Sequence, residues 1–182
     1  MRDLAAAYDN FGNESIPIAL NGRGLSAAAL NTLISGCSEL GDTGPAIASA
    51  ILEWMWATGR SPSLLHYHAL LKALGRARRG GDAAAAVIDD LRARGLSPTV
   101  ITYNLALRAL RNCGATPRAL ALLAAMEAAG APPDVVSYNT LLAGCHRDAD
   151  HDTAMLLRAQ MHAQVRGRAS FPMCWKRRWW GL

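Results

Sequence analysis

Apolar positions in the second half of the chain recur with a helical rhythm, not an alternating one. From Asn104 to about Asn112, Leu105, Leu107 and Leu110 stand among small and polar residues. Gly114 to Pro117 interrupts the run. Arg118 to Ala129 resumes it, with Leu122, Met126 and Ala129 forming a stripe at spacings of four and three. Pro117 suits the first turn of a second helix, where its missing N–H costs nothing, and Thr116 is placed to cap that turn. Gly130 can take the left-handed conformation that closes a helix, and the Pro132–Pro133 pair forbids its continuation. The pattern predicts two helices with tight connections, and Asp134 beside the start of another.

The same pattern occurs more than once. The phrase VITYN at Val100–Asn104 returns as VVSYN at Val135–Asn139, and Tyr138 minus Tyr103 is 35 residues. Gly95 and Gly130, Pro98 and Pro133, and Met126 and Met161 keep that offset. A period of this length is the mark of a helical repeat array. One hairpin cannot bury its apolar face alone, so stacked copies must share a core.

The run VITYNLALRALRNCGATPRALALLAAMEAAGAPPD, followed by VVSYNTLLAGC, resembles the pentatricopeptide repeat, a helical-hairpin motif of organellar RNA-binding proteins. The resemblance covers roughly residues 27–169. It implies an all-α, right-handed superhelical solenoid of about four hairpins, at 27–63, 64–99, 100–134 and 135–169. The tetratricopeptide repeat has a different signature; the Tyr-Asn opening and the Gly-x-x-Pro-Asp ending favour the RNA-binding type.

Earlier repeats are more degenerate. NTLISGC at Asn31–Cys37 echoes NTLLAGC at Asn139–Cys145. The first unit runs to Ser63, and its extra length is expected in the Gly41–Gly44 turn, where insertions stay outside the core. Trp54 and Trp56, two apart, cannot share a helix face, so one is expected in the core and the other on a neighbouring repeat or exposed. In the second unit Tyr67 takes the tyrosine place and His68 replaces the asparagine. Gly80 and Gly81 read as a loop, with Asp82 capping a helix from Ala83 to Arg94. Residues 1–26 are an irregular segment or a degenerate repeat, with a helix suggested near Ile16–Asn21. Asp3, Asp9 and Glu14 make that segment a poor transit peptide. Residues 170–182 leave the register and are expected to be disordered; Trp175, Trp179 and Trp180 beside Lys176, Arg177 and Arg178 could also stack on bases or touch acidic lipid.

Composition narrows the partner. Low aromatic content (6%) with abundant Ala and Leu suits closely stacked helices. A net charge of +5 and a pI near 9.4 favour an anionic partner. Cys37, Cys113, Cys145 and Cys174 show no metal spacing, and Cys37 and Cys145 fall six residues after Asn31 and Asn139, which marks them as small core hydrophobes. No apolar run reaches membrane-spanning length, so no membrane partner is expected.

A hairpin solenoid offers its concave face as a groove. The resemblance implies that this groove reads single-stranded RNA at one base per repeat. Carried over, the paired readers are Asn31 with Ser63, His68 with Thr99, and Asn104 with Asp134; Asn139 pairs with a residue near Ala169. In the family pattern Asn with Asp is associated with uracil and Asn with Ser with cytosine, whereas His68 with Thr99 departs from the common pairs. Ala28, Leu65, Ile101 and Val136, three before each reader, would flank the bases like dividers. Asn104 and Asn139 could instead cap helices, although Asp134 is better placed to do so. Arg76, Arg78, Arg79, Arg108, Arg111 and Arg147 cluster at first-helix ends and the turns after them, as phosphate contacts or as solvated surface charge.

Other chemistry is not expected. His146-Arg147-Asp148 resembles a kinase catalytic loop by letters only, without its asparagine or a Gly-rich loop. His146, Asp148, Asp150, His151 and Asp152 are read as helix-capping loop residues in preference to a metal site. No catalytic residues, metal or cofactor are predicted. Four bases specify a word found about once in 256 random nucleotides, so the chain is expected to belong to a longer array or an assembly. Its expected setting is organellar RNA metabolism in mitochondrion or chloroplast, alone or with other proteins of a ribonucleoprotein. The competing reading is a protein-interaction scaffold of the tetratricopeptide kind, or a structural subunit of such a particle, whose groove would lack paired polar readers.

Overall fold

The computed structural model describes residues 26–77 and 80–167. These form four helical hairpins in chain order. They are α1 (Ala27–Cys37) with α2 (Gly44–Ala57), α3 (Leu64–Leu74) with α4 (Gly80–Ala93), α5 (Val100–Asn112) with α6 (Thr116–Ala128), and α7 (Val135–Arg147) with α8 (His151–Gly167). Successive first helices pack directly on one another, and α2, α4 and α6 each also pack on the first helix that follows. Consecutive second helices make no comparable contact. The first helices are therefore the closer-packed inner row of an all-α solenoid, and the second helices the outer row.

Each hairpin begins and ends for local reasons. Thr99 caps α5 and Asp134 caps α7, each accepting from the backbone N–H of the third helical residue, Thr102 or Ser137. The hydroxyls of Thr102 and Ser137 return the favour, accepting from the N–H of Thr99 and of Asp134 at 3.1 Å. Such reciprocal caps stabilise a helix start by about 1 kcal/mol. Second helices end in a left-handed glycine: Gly59, Gly95 and Gly130 have φ of 72°, 75° and 72°. The next residue's N–H then bonds back to Met55, Leu91 or Met126, which satisfies a carbonyl that the ending helix would leave bare.

The core is one continuous seam. Tyr67, Tyr103 and Tyr138 are at most 2% exposed, and each inserts between its own repeat and the one before. The outer row meets each tyrosine with a different residue at one register position. The Trp56 indole N–H donates to the Tyr67 hydroxyl at 3.1 Å, Arg92 donates to that of Tyr103, and the Glu127 carboxylate, after burial, helps raise the pKa of Tyr138. Tyr67 in turn donates to Asp90 at 2.9 Å. Trp54 is core and Trp56 faces the neighbouring repeat, the division expected from their spacing.

Several expectations need correction. Thr116 is the first residue of α6 and not its cap; its hydroxyl donates to Asp148 in the turn of the next repeat, at 2.5 Å. Helix α4 begins at Gly80, so Gly80 and Gly81 are helical and Asp82 is not the cap. Crowding, not flexibility, calls for these glycines: a Cβ on Gly80 would lie 1.9 Å from the Leu74 carbonyl oxygen, and one on Gly81 3.1 Å from the Cβ of Cys113. Ala129 is exposed at the end of α6, and Ala119 and Leu123 complete the buried stripe with Leu122 and Met126. The turn between α1 and α2 spans residues 38–43, against 113–115 between α5 and α6, which locates the extra length of the first repeat. The suggested helix at Ile16–Asn21, Arg78, Arg79 and the Trp-rich tail lie outside the described residues.

Candidate functional site

Asn31, His68, Asn104 and Asn139 occupy one register on the four inner helices α1, α3, α5 and α7. None is a helix cap, because Ser26, Ser63, Thr99 and Asp134 hold those positions. Three residues earlier, hence beside them on the same helix face, stand Ala28, Leu65, Ile101 and Val136. Leu65, Ile101 and Val136 are 64%, 62% and 56% exposed. Bare aliphatic side chains in a row, each beside a polar one, make a ladder of alternating chemistry along the inner face. Among the described residues, the other large apolar side chains so exposed are Met155 and Leu156 on α8.

The expected pairs differ in how they are joined. Asn104 donates from Nδ2 to Asp134 Oδ1 at 3.0 Å, a direct contact across the repeat junction. Ser137 donates from Oγ to Asn104 Oδ1 at 2.6 Å. His68 reaches Thr99 only through Thr102, with His68 Nε2 2.8 Å from the Thr102 hydroxyl and that hydroxyl 3.1 Å from Thr99 Oγ1. Burial holds the His68 imidazole below its ordinary value of 6.5 and so favours the neutral ring at pH 7. Asn31 and Ser63 are not joined by a hydrogen bond. The Ser63 N–H donates to Nδ1 of His66 at 3.0 Å, and the Oδ1 of Asn31 is buried without a partner. Asn139 is exposed, and its expected partner near Ala169 lies outside the described residues.

Two exposed cations share this face. Lys72 and Arg108 lie four residues beyond His68 and Asn104, one helical turn along. Arg76 and Arg147 have structural employment instead. Arg76 donates to the Ser38 carbonyl at 3.3 Å and pairs with Glu39, and Arg147 donates to the Arg111 carbonyl at 2.5 Å. Asn112, at the same register, donates to the Gly75 carbonyl at 2.5 Å. Each thus caps the end of the preceding repeat's first helix.

Burial pushes the Cys37 thiol up to about 11, and burial first, then Asp150 and Asp148, raises that of Cys145. Both are therefore protonated and unreactive. Asp150 accepts from the Thr153 N–H at 3.0 Å, the capping role expected of the loop acids. No group of three or more metal-ligating side chains and no helix long and apolar enough to cross a membrane occurs among the described residues.

Stacked helical hairpins with a periodic row of polar and bare aliphatic side chains define an α-solenoid repeat protein with an inner binding face. Its sequence matches the family model described as the pentacotripeptide-repeat region of PRORP over residues 1–166, and the chain belongs to the pentatricopeptide repeat family. No curated protein matches it. Among solved structures, the pentatricopeptide repeat protein PPR10 from maize matches with 28% identity and a TM-score of 0.67, over 89% of this chain and 24% of that one. PPR10 in complex with an 18-nt psaJ RNA element gives 23% identity and a TM-score of 0.69, over 88% and 24%. The PPR domain of Arabidopsis thaliana protein-only RNase P 1, in complex with tRNA, gives 18% and 0.63, over 93% and 90%. The chain thus spans about a quarter of the PPR10 structures.

Proposed function

We propose that this array binds single-stranded RNA with one base per repeat, without turnover of its own. In this reading Asn31, His68, Asn104 and Asn139 face successive bases, assisted by Ser63, Thr99 and Asp134, while Ala28, Leu65, Ile101 and Val136 separate them. The observation that carries it is the direct Asn104–Asp134 contact in a row of exposed aliphatic side chains. A donor fixed beside an acceptor can recognise a base edge, and bare apolar surfaces on either side can sandwich the ring. A protein-binding scaffold has no need of a polar pair tied across a junction, as Asn104 and Asp134 are. Lys72 and Arg108 add positive charge on the same strip, suited to phosphate. Family membership supports a setting in organellar RNA metabolism, in mitochondrion or chloroplast, alone or with other proteins of a ribonucleoprotein.

The test is fluorescence anisotropy with labelled single-stranded RNAs in which one nucleotide is varied, with folded tRNA as competitor. Changing Asn104→Ala together with Asp134→Ala is expected to weaken binding by about 1–3 kcal/mol, chiefly for RNAs with uracil at one register. Equal affinity of wild type and double variant for every RNA would mean phosphate attraction alone and sink the base-reading proposal. No binding by the folded wild type would turn the assignment towards a protein partner.

A further inference from the structure

The geometry points to Ser137, Thr102 and His66 as positioning residues that decide how sharply the reader of the preceding repeat discriminates between bases. This rests on the base-reading proposal above and adds to it a third side chain per junction. All three sit at one register, immediately before the buried tyrosine, and are 0%, 0% and 4% exposed. They are too deep to meet a base themselves. What they touch is the reader.

At the third junction the contacts leave the Asn104 amide one orientation. Ser137 donates to its Oδ1 at 2.6 Å, and its Nδ2 donates to Asp134 at 3.0 Å. Reversing the amide would set its oxygen against the carboxylate and forfeit the bond to Asp134. One N–H of Asn104 and Oδ2 of Asp134 are then left for a ligand, a donor beside an acceptor in a fixed order. At the second junction Thr102 engages Nε2 of His68 at 2.8 Å and leaves Nδ1 for a ligand.

The first junction lacks this anchor. His66 fills the register, but its Nδ1 faces Ser63, accepting from the backbone N–H at 3.0 Å and lying 2.9 Å from the hydroxyl. Its Nε2 lies 3.3 Å from the Ala27 carbonyl, not beside Asn31. The Oδ1 of Asn31 is correspondingly buried with no partner. An amide held by nothing can present either its oxygen or its nitrogen, and so accept more than one base edge. Asn31 and Asn104 are the same residue type at the same register, yet Asn104 reads selectively and Asn31 loosely.

The experiment measures base discrimination, the ratio of Kd values for RNAs differing at one register, in the wild type and in Ser137→Ala, Ser137→Thr and His66→Thr. Ser137→Ala is expected to cut discrimination at the Asn104 register about five- to tenfold, the worth of one hydrogen bond, with the other registers unchanged. Ser137→Thr keeps the hydroxyl, as Thr102 does naturally, and preserves the ratio. His66→Thr supplies the missing donor and raises discrimination at the Asn31 register by a similar factor. If Ser137→Ala does not fold, the gain in His66→Thr decides. A wild type selective at the Asn104 register whose ratio survives Ser137→Ala, or a His66→Thr variant with no gain at Asn31, overturns the positioning role and leaves base reading intact. A wild type with no selectivity at any register overturns both.

Discussion

The junction between the third and fourth repeats and the junction between the first and second occupy the same slots in the fold with different chemistry. In the former, Asp134 serves twice: it caps α7 through the Ser137 N–H at 2.9 Å and orients Asn104 across the junction. In the latter, the Ser63 N–H is held by the His66 ring, and Asn31 takes no part. Burial requires an inner helix to start well and a tyrosine to follow. It does not require that the capping residue also reach the asparagine of the preceding repeat. The scaffold therefore tolerates either arrangement, and only the groove tells them apart.

The largest stability difference is expected from the caps themselves. Asp134→Ala should destabilise the array by about 1–2 kcal/mol, since it removes a charged acceptor from a helix start and a partner from Asn104. Ser63→Ala should cost only about 0.5 kcal/mol, because His66 still satisfies the Ser63 N–H. Denaturant melts of the two variants measure this, and equal losses would erase the contrast. A smaller effect lies in the turns. Ala149 has φ of 55° where Gly114, at the corresponding place one repeat earlier, has φ of 74°. Ala149→Gly is expected to stabilise by about 0.5–1 kcal/mol, as relief of a left-handed alanine outweighs the added freedom of the unfolded chain. A fall in melting temperature would contradict it.

The smallest effect is a pH dependence at His68. Burial lowers its folded pKa, so between that value and the ordinary 6.5 the unfolded chain binds more protons than the folded one. Its contribution to stability should be complete above 6.5 and decline as pH falls through that value to the lowered one. His68→Asn should flatten this part of the profile. Melting curves for wild type and variant that run parallel from pH 8 to 5 would show that His68 titrates freely.

Much of this architecture was legible in the sequence, for definite reasons. The 35-residue offset, the glycines that close helices, and Asp134 as a cap all depend on local backbone chemistry, which a sequence displays directly. What escaped depended on contacts between helices. Gly80 and Gly81 read as a loop because nothing local reveals that Leu74 and Cys113 crowd them. Arg76 and Arg147 read as phosphate contacts or solvent-facing charge because the carbonyls they cap lie a full repeat away. The clue to the proposed positioning residues was present in the phrase itself: Thr102 and Ser137 each place a hydroxyl just before a tyrosine, and His66, just before Tyr67, does not.

The caps contributed by Arg76, Asn112 and Arg147 give the array a direction. The second, third and fourth repeats each carry the donor that completes the predecessor's first helix, so the first helices of the first three are completed by their successors. Opening one repeat strips carbonyl partners from the repeat on its N-terminal side and takes none from the first-helix end on its C-terminal side. Fraying should therefore propagate more readily from successor to predecessor than in the opposite sense, like shingles lifted from the lower edge.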